Sequence, residues 1–451
     1  MSDDMNNHIN LIEYEMKKLQ RSFFEKWNNI VRKKIKVYPG FDIQNYIDLF
    51  GGYWLDKDEY NKMNSVLKSF FNTSILKKNR VFLRGYDYYQ ADPLMHMWGD
   101  NCSFLQLWDI FQKKWERYRK INTFEYINAS ITIEDWVGTL GFLEYIFSDL
   151  TSLRWFIFRN GKLIKKSYGE SYSELVFVIK DFTDVIGKAI AGMLLFDFDM
   201  VNDLLSREYC QKIKSIHIQN LIETRWEKIE KASIRTIREG DSTVLIYAAY
   251  LMKLKPFCIE KRWKRICLIS NAFGAMNIGV IIQHLVNNLC EVEHINLLFA
   301  QHRSEGDYVY SDELIGKCCF IDDDKSQLDN DVDAVFIVDD SVCFGKSYKN
   351  IKDSLDHKVT YLLPLTLNCN GLKYFRIGLT KNDNLEDIIQ RSIYFSKEIN
   401  DIYPAFFSFW DFRNKVPENF LCYDKTYRFA LYGSDLLLRH LWTMYYESIT
   451  K

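Results

Sequence analysis

Residues 334–350 read "AVFIVDDSVCFGKSYKN": an apolar run, two adjacent carboxylates, a glycine, a lysine and serines within one short segment. Val335 to Val338 are apolar without a break, as a strand covered on both faces requires. Asp339 and Asp340 stand at the carboxyl end of that strand, and the alternation of side chains along a strand sends the two carboxylates to opposite faces. Ser341, Val342 and Cys343 lead to Phe344-Gly345-Lys346-Ser347, where a helix is expected to begin. A glycine turn entering a helix offers unpaired backbone amides and the positive end of the helix dipole, a setting suited to a phosphate monoester.

The neighbouring sequence supplies the rest of such a sheet. Strand patterns "RICLIS", "HINLLFA", "KCCFI", "AVFIVDD" and "VTYLLPLTL" alternate with helix patterns that include "MNIGVIIQHLVNNL" and the segment from Lys346. Strands and helices at this spacing predict a doubly wound, mostly parallel α/β sheet over residues 241–370, in which ligands bind beyond the carboxyl ends of the strands. "REGDS", Arg238 to Ser242, marks the boundary before it. Residues 371–451 read as an α+β C-terminal extension.

Residues 1–240 have a different texture. Ile9, Ile12, Met16, Leu19, Phe23, Trp27 and Val31 recur at spacings of three or four and predict an amphipathic helix. Shorter helical patterns follow to Phe71, then "DNCSFLQLWDIFQKKWERY" and "TIEDWVGTLGFLEYIFSDL", the second opening with a capping pattern in which Thr132 precedes Asp135 by three residues. Two apolar runs joined by Asn160-Gly161 predict one β-hairpin near residues 153–168. Helices are expected again from Ser173 to Leu205 and from Arg207 to Arg238. The region reads as helix-rich, and its tryptophans as core.

Composition bounds the setting. The chain has 451 residues, 47% hydrophobic and 16% aromatic, with only 6 Pro, a profile of compact structure and not of disorder. Lys plus Arg number 59 and Asp plus Glu 60, so no global field recruits nucleic acid or an acidic membrane. The ten cysteines are scattered without a Cys-x-x-Cys pair, which predicts a reducing, cytoplasmic setting. The opening "MSDDMNNHIN" is polar and acidic and does not read as a signal peptide, and no apolar stretch predicts a membrane span. The N-terminal region is the surface left for an oligomer or a protein partner.

Four apolar residues, two acids, three residues and then a small phosphate loop resemble the signature of type I phosphoribosyltransferases, which bind phosphoribosyl pyrophosphate. The resemblance covers about Trp263 to Leu367 and matches this chain without an insertion over Val335 to Ser347. It implies a type I phosphoribosyltransferase-like parallel sheet and a Mg-dependent glycosyltransferase of nucleotide metabolism that transfers 5-phosphoribose to an acceptor. It assigns the ribose hydroxyls to Asp339 and Asp340 and the 5-phosphate to Cys343, Phe344, Gly345, Lys346 and Ser347. Asn271, Ala272, Phe273 and Gly274, after the first strand, would form the pyrophosphate loop with Ser270. Arg303, in the polar loop after the second strand, would neutralise the departing pyrophosphate. A hood selecting the acceptor would come from the C-terminal extension or the N-terminal half. Phe344 stands where the family has threonine, which removes a hydroxyl from the phosphate loop and leaves the backbone amides. The alternative implied by that departure is a non-catalytic phosphoribosyl-ligand sensor or effector module that regulates the helical region.

Other readings fit the residues less well. A nucleotide-binding P-loop needs a glycine where Asp340 stands. A receiver domain needs a later phosphoacceptor strand, and "LTKNDNL" is too polar for one. The acidic run "IDDDKSQLDND" lacks the spacing and glycine of a calcium loop, and no Gly-x-Ser-x-Gly occurs.

Overall fold

A computed structural model describes residues 21–43, 53–62, 72–84, 108–116, 131–159, 170–205, 246–271, 275–302, 318–321, 332–342, 346–355, 360–368 and 428–429, apart from a few positions within these stretches. They divide into two compact units, one drawn mainly from Trp27–Ile237 and the other mainly from Arg238 onward.

In the first unit α1 (24–34) is followed by β1 (Tyr53–Asp56), α2 (Lys57–Lys62), β2 (Asn72–Lys77) and β3 (Arg80–Arg84). The three strands form an antiparallel sheet in the order β1-β3-β2; β1 falls where helical patterns are expected up to Phe71, and β2 and β3 are strands in a region expected to hold one β-hairpin near 153–168. Three helices follow: α3 (Ile133–Arg159), α4 (Glu170–Leu195) and α5 (Phe198–Leu204). The predicted cap of α3 is present, with Thr132 Oγ1 donating to Asp135 Oδ2 at 2.9 Å and accepting the Asp135 N–H at 3.4 Å.

The hairpin expected near 153–168 is corrected over its first arm, because α3 continues through Arg159. Ile146, Leu150, Leu153 and Ile157 are all buried at spacings of three and four, so one apolar stripe carries the helix past the point where a strand was expected. Asparagine and glycine, the supposed turn, are as much at home just past a helix end as in a hairpin. The second arm, 160–168, lies outside the described residues.

This unit's core is aromatic. Trp136 packs edge-on to Trp27 at 5.8 Å and stacks on Phe196 at 5.1 Å, while Trp115 and Phe111 meet Phe182 edge-on. The Trp136 indole N–H donates to the Met193 carbonyl at 2.8 Å, satisfying one of the acceptors that a helix end leaves unpaired. Phe196 holds a left-handed backbone, φ 58°, between α4 and α5. Its stack on Trp136 and the bond from Asp197 N–H to the Gly192 carbonyl, 2.9 Å, hold a conformation that usually selects glycine. Hydroxyls are buried here because they bond back to their own helix: Thr151, Ser152 and Thr183 each donate to a carbonyl four residues earlier.

The second unit is α/β, a small parallel sheet with helices. A single π-helical turn (Tyr250–Leu254) runs into α6 (Lys255–Lys261), followed by β4 (Arg265–Asn271), α7 (Met276–Leu289), β5 (His294–His302) and β6 (Cys318–Ile321). Then come β7 (Ala334–Val342), α8 (Lys346–Asp353), β8 (Thr360–Asn368) and β9 (Arg428–Phe429). The spatial order is β6-β5-β4-β7-β8-β9. The four inner strands pair in parallel, and the edge strands β6 and β9 pair antiparallel. Of the C-terminal extension 371–451, only β9 is among the described residues.

Burial explains why β4 and β7 are central. Ile266 to Ser270 and Ala334 to Asp339 are buried without interruption, as strands covered on both faces must be. Phe257, Trp263, Phe336 and Tyr361 pack on one another against one face, with Phe336 and Tyr361 stacked at 5.5 Å. α7 lies close to the sheet because Gly279 has no side chain. A Cβ built there would fall 1.8 Å from the Ser270 Oγ and 3.0 Å from Leu297 Cδ1.

Two predictions follow from this packing. Gly279→Ala should destabilise the protein by about 1–3 kcal/mol, since the overpacking outweighs the roughly 1 kcal/mol that alanine brings to a helix interior; adding Ser270→Gly should recover part of that loss in chemical denaturation. The second concerns alkaline pH. Burial pushes the Cys267 thiol from 9.0 up to about 12 and the Tyr247 hydroxyl from 10.0 up to about 12. The unfolded chain then loses these protons at lower pH than the folded one, so the stability they contribute is intact below about pH 9 and is lost between about 9 and 12, on the order of 1 kcal/mol per pH unit for each group. Denaturation series across that range should show the decline, and Cys267→Ala should make it shallower.

Candidate functional site

The chain leaves β4 for β5 on one side and leaves β7 for β8 on the other, so its connections diverge between β4 and β7. In open α/β sheets this is where a crevice forms outside the carboxyl ends of the strands. Two helices start close to those ends: α7 five residues after Asn271 and α8 four residues after Val342.

What stands at the crevice depends on the register of β4 against β7, and that register is tied at the amino end. The Asp333 carboxylate accepts the backbone N–H groups of Lys264 at 2.7 Å and Arg265 at 2.9 Å, and the Asp333 N–H donates to the Arg265 carbonyl at 2.8 Å. From there Ile266 aligns with Ala334 and Ser270 with Val338. One residue further on, the Asn271 side chain donates from Nδ2 to Asp339 Oδ2 at 3.2 Å. A carboxylate only accepts, so it is the amide nitrogen that meets it.

Asp339, expected to bind ribose, is therefore a buried acid at the carboxyl end of β7, next to the end of β4. Its register partner on β8 is Pro364, which has no N–H to give to the ladder. Asp340 is the next residue of the same strand. Asn271, expected in a pyrophosphate loop, is half-buried with its side chain on Asp339. Its carbonyl accepts the Ala275 N–H at 3.0 Å, joining the end of β4 to the start of α7. Lys346 and Ser347 are the first two residues of α8. Ala272, Phe273, Gly274, Arg303, Cys343, Phe344 and Gly345 lie outside the described residues.

Beside this pair, the Ser270 hydroxyl is fully buried toward α7 and has no hydrogen-bond partner among the described residues. Among the same residues no group of three or more His, Cys, Asp or Glu is placed to hold a metal, and no helix is long and apolar enough to cross a membrane. Cys267 is buried within β4, where burial pushes its thiol up to about 12, so it stays protonated and packs as a small apolar side chain.

The Asn271–Asp339 contact is the feature that reading the segments one by one does not reach. The two residues are 68 positions apart, and each segment looks complete without the other. The signal in the chain is that Asn271 and Asp339 each follow a five-residue strand stretch, Ile266–Ser270 and Ala334–Val338, which parallel pairing brings level. Comparison of the chain with family models, with curated proteins and with solved structures returns no match.

The register tie is testable. Asp333→Ala should lower stability by about 1 kcal/mol, the order of a lost hydrogen bond, and Asp333→Asn should keep part of it because an amide oxygen still accepts; thermal denaturation of both variants checks this.

Proposed function

We propose that the second unit is a type I phosphoribosyltransferase-like module that binds phosphoribosyl pyrophosphate and transfers its 5-phosphoribosyl group to an acceptor. The observation that carries this reading is the position of Asp339: a buried carboxylate at the end of a central strand, beside the divergence of the chain connections. The start of α8 at Lys346, soon after that strand, supports a phosphate position near its amino end.

In the reaction, an electron pair of the acceptor forms a bond to the anomeric carbon while the bond from that carbon to pyrophosphate breaks, and its electrons leave on the pyrophosphate oxygen. Positive charge grows on the ribose ring at that moment. Asp339 and Asp340 would hold the ribose hydroxyls and favour that charge, the amides from Cys343 to Ser347 would hold the 5-phosphate, and Arg303 would face the departing pyrophosphate. Magnesium would enter with the pyrophosphate oxygens and ribose hydroxyls, whose hard oxygen donors suit it, and would supply charge neutralisation. The described residues offer no cage that would hold the ion without the ligand.

Phe344, in place of the family's threonine, favours a second reading in which the same pocket binds a phosphoribosyl ligand and turns nothing over. Such a module would act as a sensor for the rest of the chain.

Titration calorimetry of phosphoribosyl pyrophosphate with Mg should show saturable binding to the wild type. Asp339→Ala/Asp340→Ala should weaken it by about 100-fold or more, the scale of several lost bonds between a carboxylate and hydroxyls. A folded wild type that binds nothing would overturn the assignment. Pyrophosphate release in an acceptor screen separates the enzyme from the sensor.

A further inference from the structure

We infer that Asn271 is a positioning residue for Asp339: its amide fixes the orientation of the carboxylate at the carboxyl ends of β4 and β7, so that it acts on a ligand through Asp339 and not by touching it. The consequence for a ligand rests on the ribose-binding reading above; the coupling of the two side chains does not.

Three features support it. First, the backbone of Asn271 is held on two sides, by parallel alignment with Ala300 of β5 and by the bond from Ala275 N–H to its own carbonyl. The side chain therefore springs from a rigid support, the condition for a precise positioning contact. Second, an amide N–H can only donate, so at 3.2 Å it meets a carboxylate oxygen of Asp339 and fixes which way that acid faces. Third, the contact bridges the two strands at their carboxyl ends, where the connections diverge, while the tie at Asp333 bridges them at the other end. Asp339 is thus aimed by elements on both sides of the divergence.

The test has a part that needs no ligand. Asn271→Asp replaces the donor with a second carboxylate, and two acids at that distance retain a shared proton to higher pH than they do in the unfolded chain. Relative to the wild type, the variant's stability should be closest near pH 4 and should fall as pH rises toward 8. Asn271→Ser, which adds no charge, should show no such slope. Parallel profiles for Asn271→Asp and wild type would overturn the inference.

The second part uses two probes by calorimetry, ribose 5-phosphate and pyrophosphate with Mg. Asn271→Ser should weaken ribose 5-phosphate binding about tenfold, the scale of one charge-assisted hydrogen bond, and leave pyrophosphate binding within about twofold. Weakened pyrophosphate binding with ribose 5-phosphate unchanged would overturn the inference and make Asn271 a direct ligand contact. If the wild type binds neither probe, the phosphoribosyl reading falls, and the pH profiles alone decide the coupling.

Discussion

The α/β unit depends on one constraint, the parallel pairing of β4 with β7. A parallel strand is buried on both faces, so its backbone bonds must all be met by its neighbours and its side chains by helices or aromatic residues above and below. β4 and β7 meet that demand with unbroken apolar runs, and the Asp333 carboxylate sets where the two runs begin to align. Everything at the carboxyl end inherits this alignment. A slip of one residue would turn Asp339 to the opposite face and part it from Asn271.

The close approach of α7 is part of the same constraint. Gly279 lets the helix settle on β4 at a distance no side chain would allow, and the Ser270 hydroxyl is enclosed there. Among the described residues it has no partner, and a hydroxyl left so costs about 1–3 kcal/mol, which the surrounding apolar contacts must offset. The helical unit is built on other physics: broad aromatic surfaces meet edge-on or stacked, and the hydroxyls of Thr151, Ser152 and Thr183 bond back to their own helices. There the aromatic packing is strong enough to hold Phe196 in a backbone conformation that propensity alone assigns to glycine.

The strands and helices of the α/β unit were readable because their periods are local. "RICLIS" and "AVFIVDD" announce buried strands from a few residues each, and the cap of α3 shows in Thr132 and Asp135. Elsewhere local patterns give way to burial or to pairing at longer range. At Leu153 to Arg159 a turn signal of two residues competes with a helical stripe extending from Ile146, and burial along that stripe decides. β1 to β3 are short, and their antiparallel pairing shows in no single segment. The antiparallel return of β9 to β8 joins segments about sixty residues apart, beyond the reach of any periodicity.

By itself the chain determined an α/β segment with acids at the end of a buried strand and a helix soon after it, because alternation, apolar runs and helix starts are properties of neighbouring residues. Only the tertiary structure decided which strand lies beside which, and with it the divergence of the connections between β4 and β7 and the meeting of Asn271 with Asp339. The reason is physical: pairing between strands is a balance of backbone bonds and burial summed over the whole sheet, and no local stretch carries that sum.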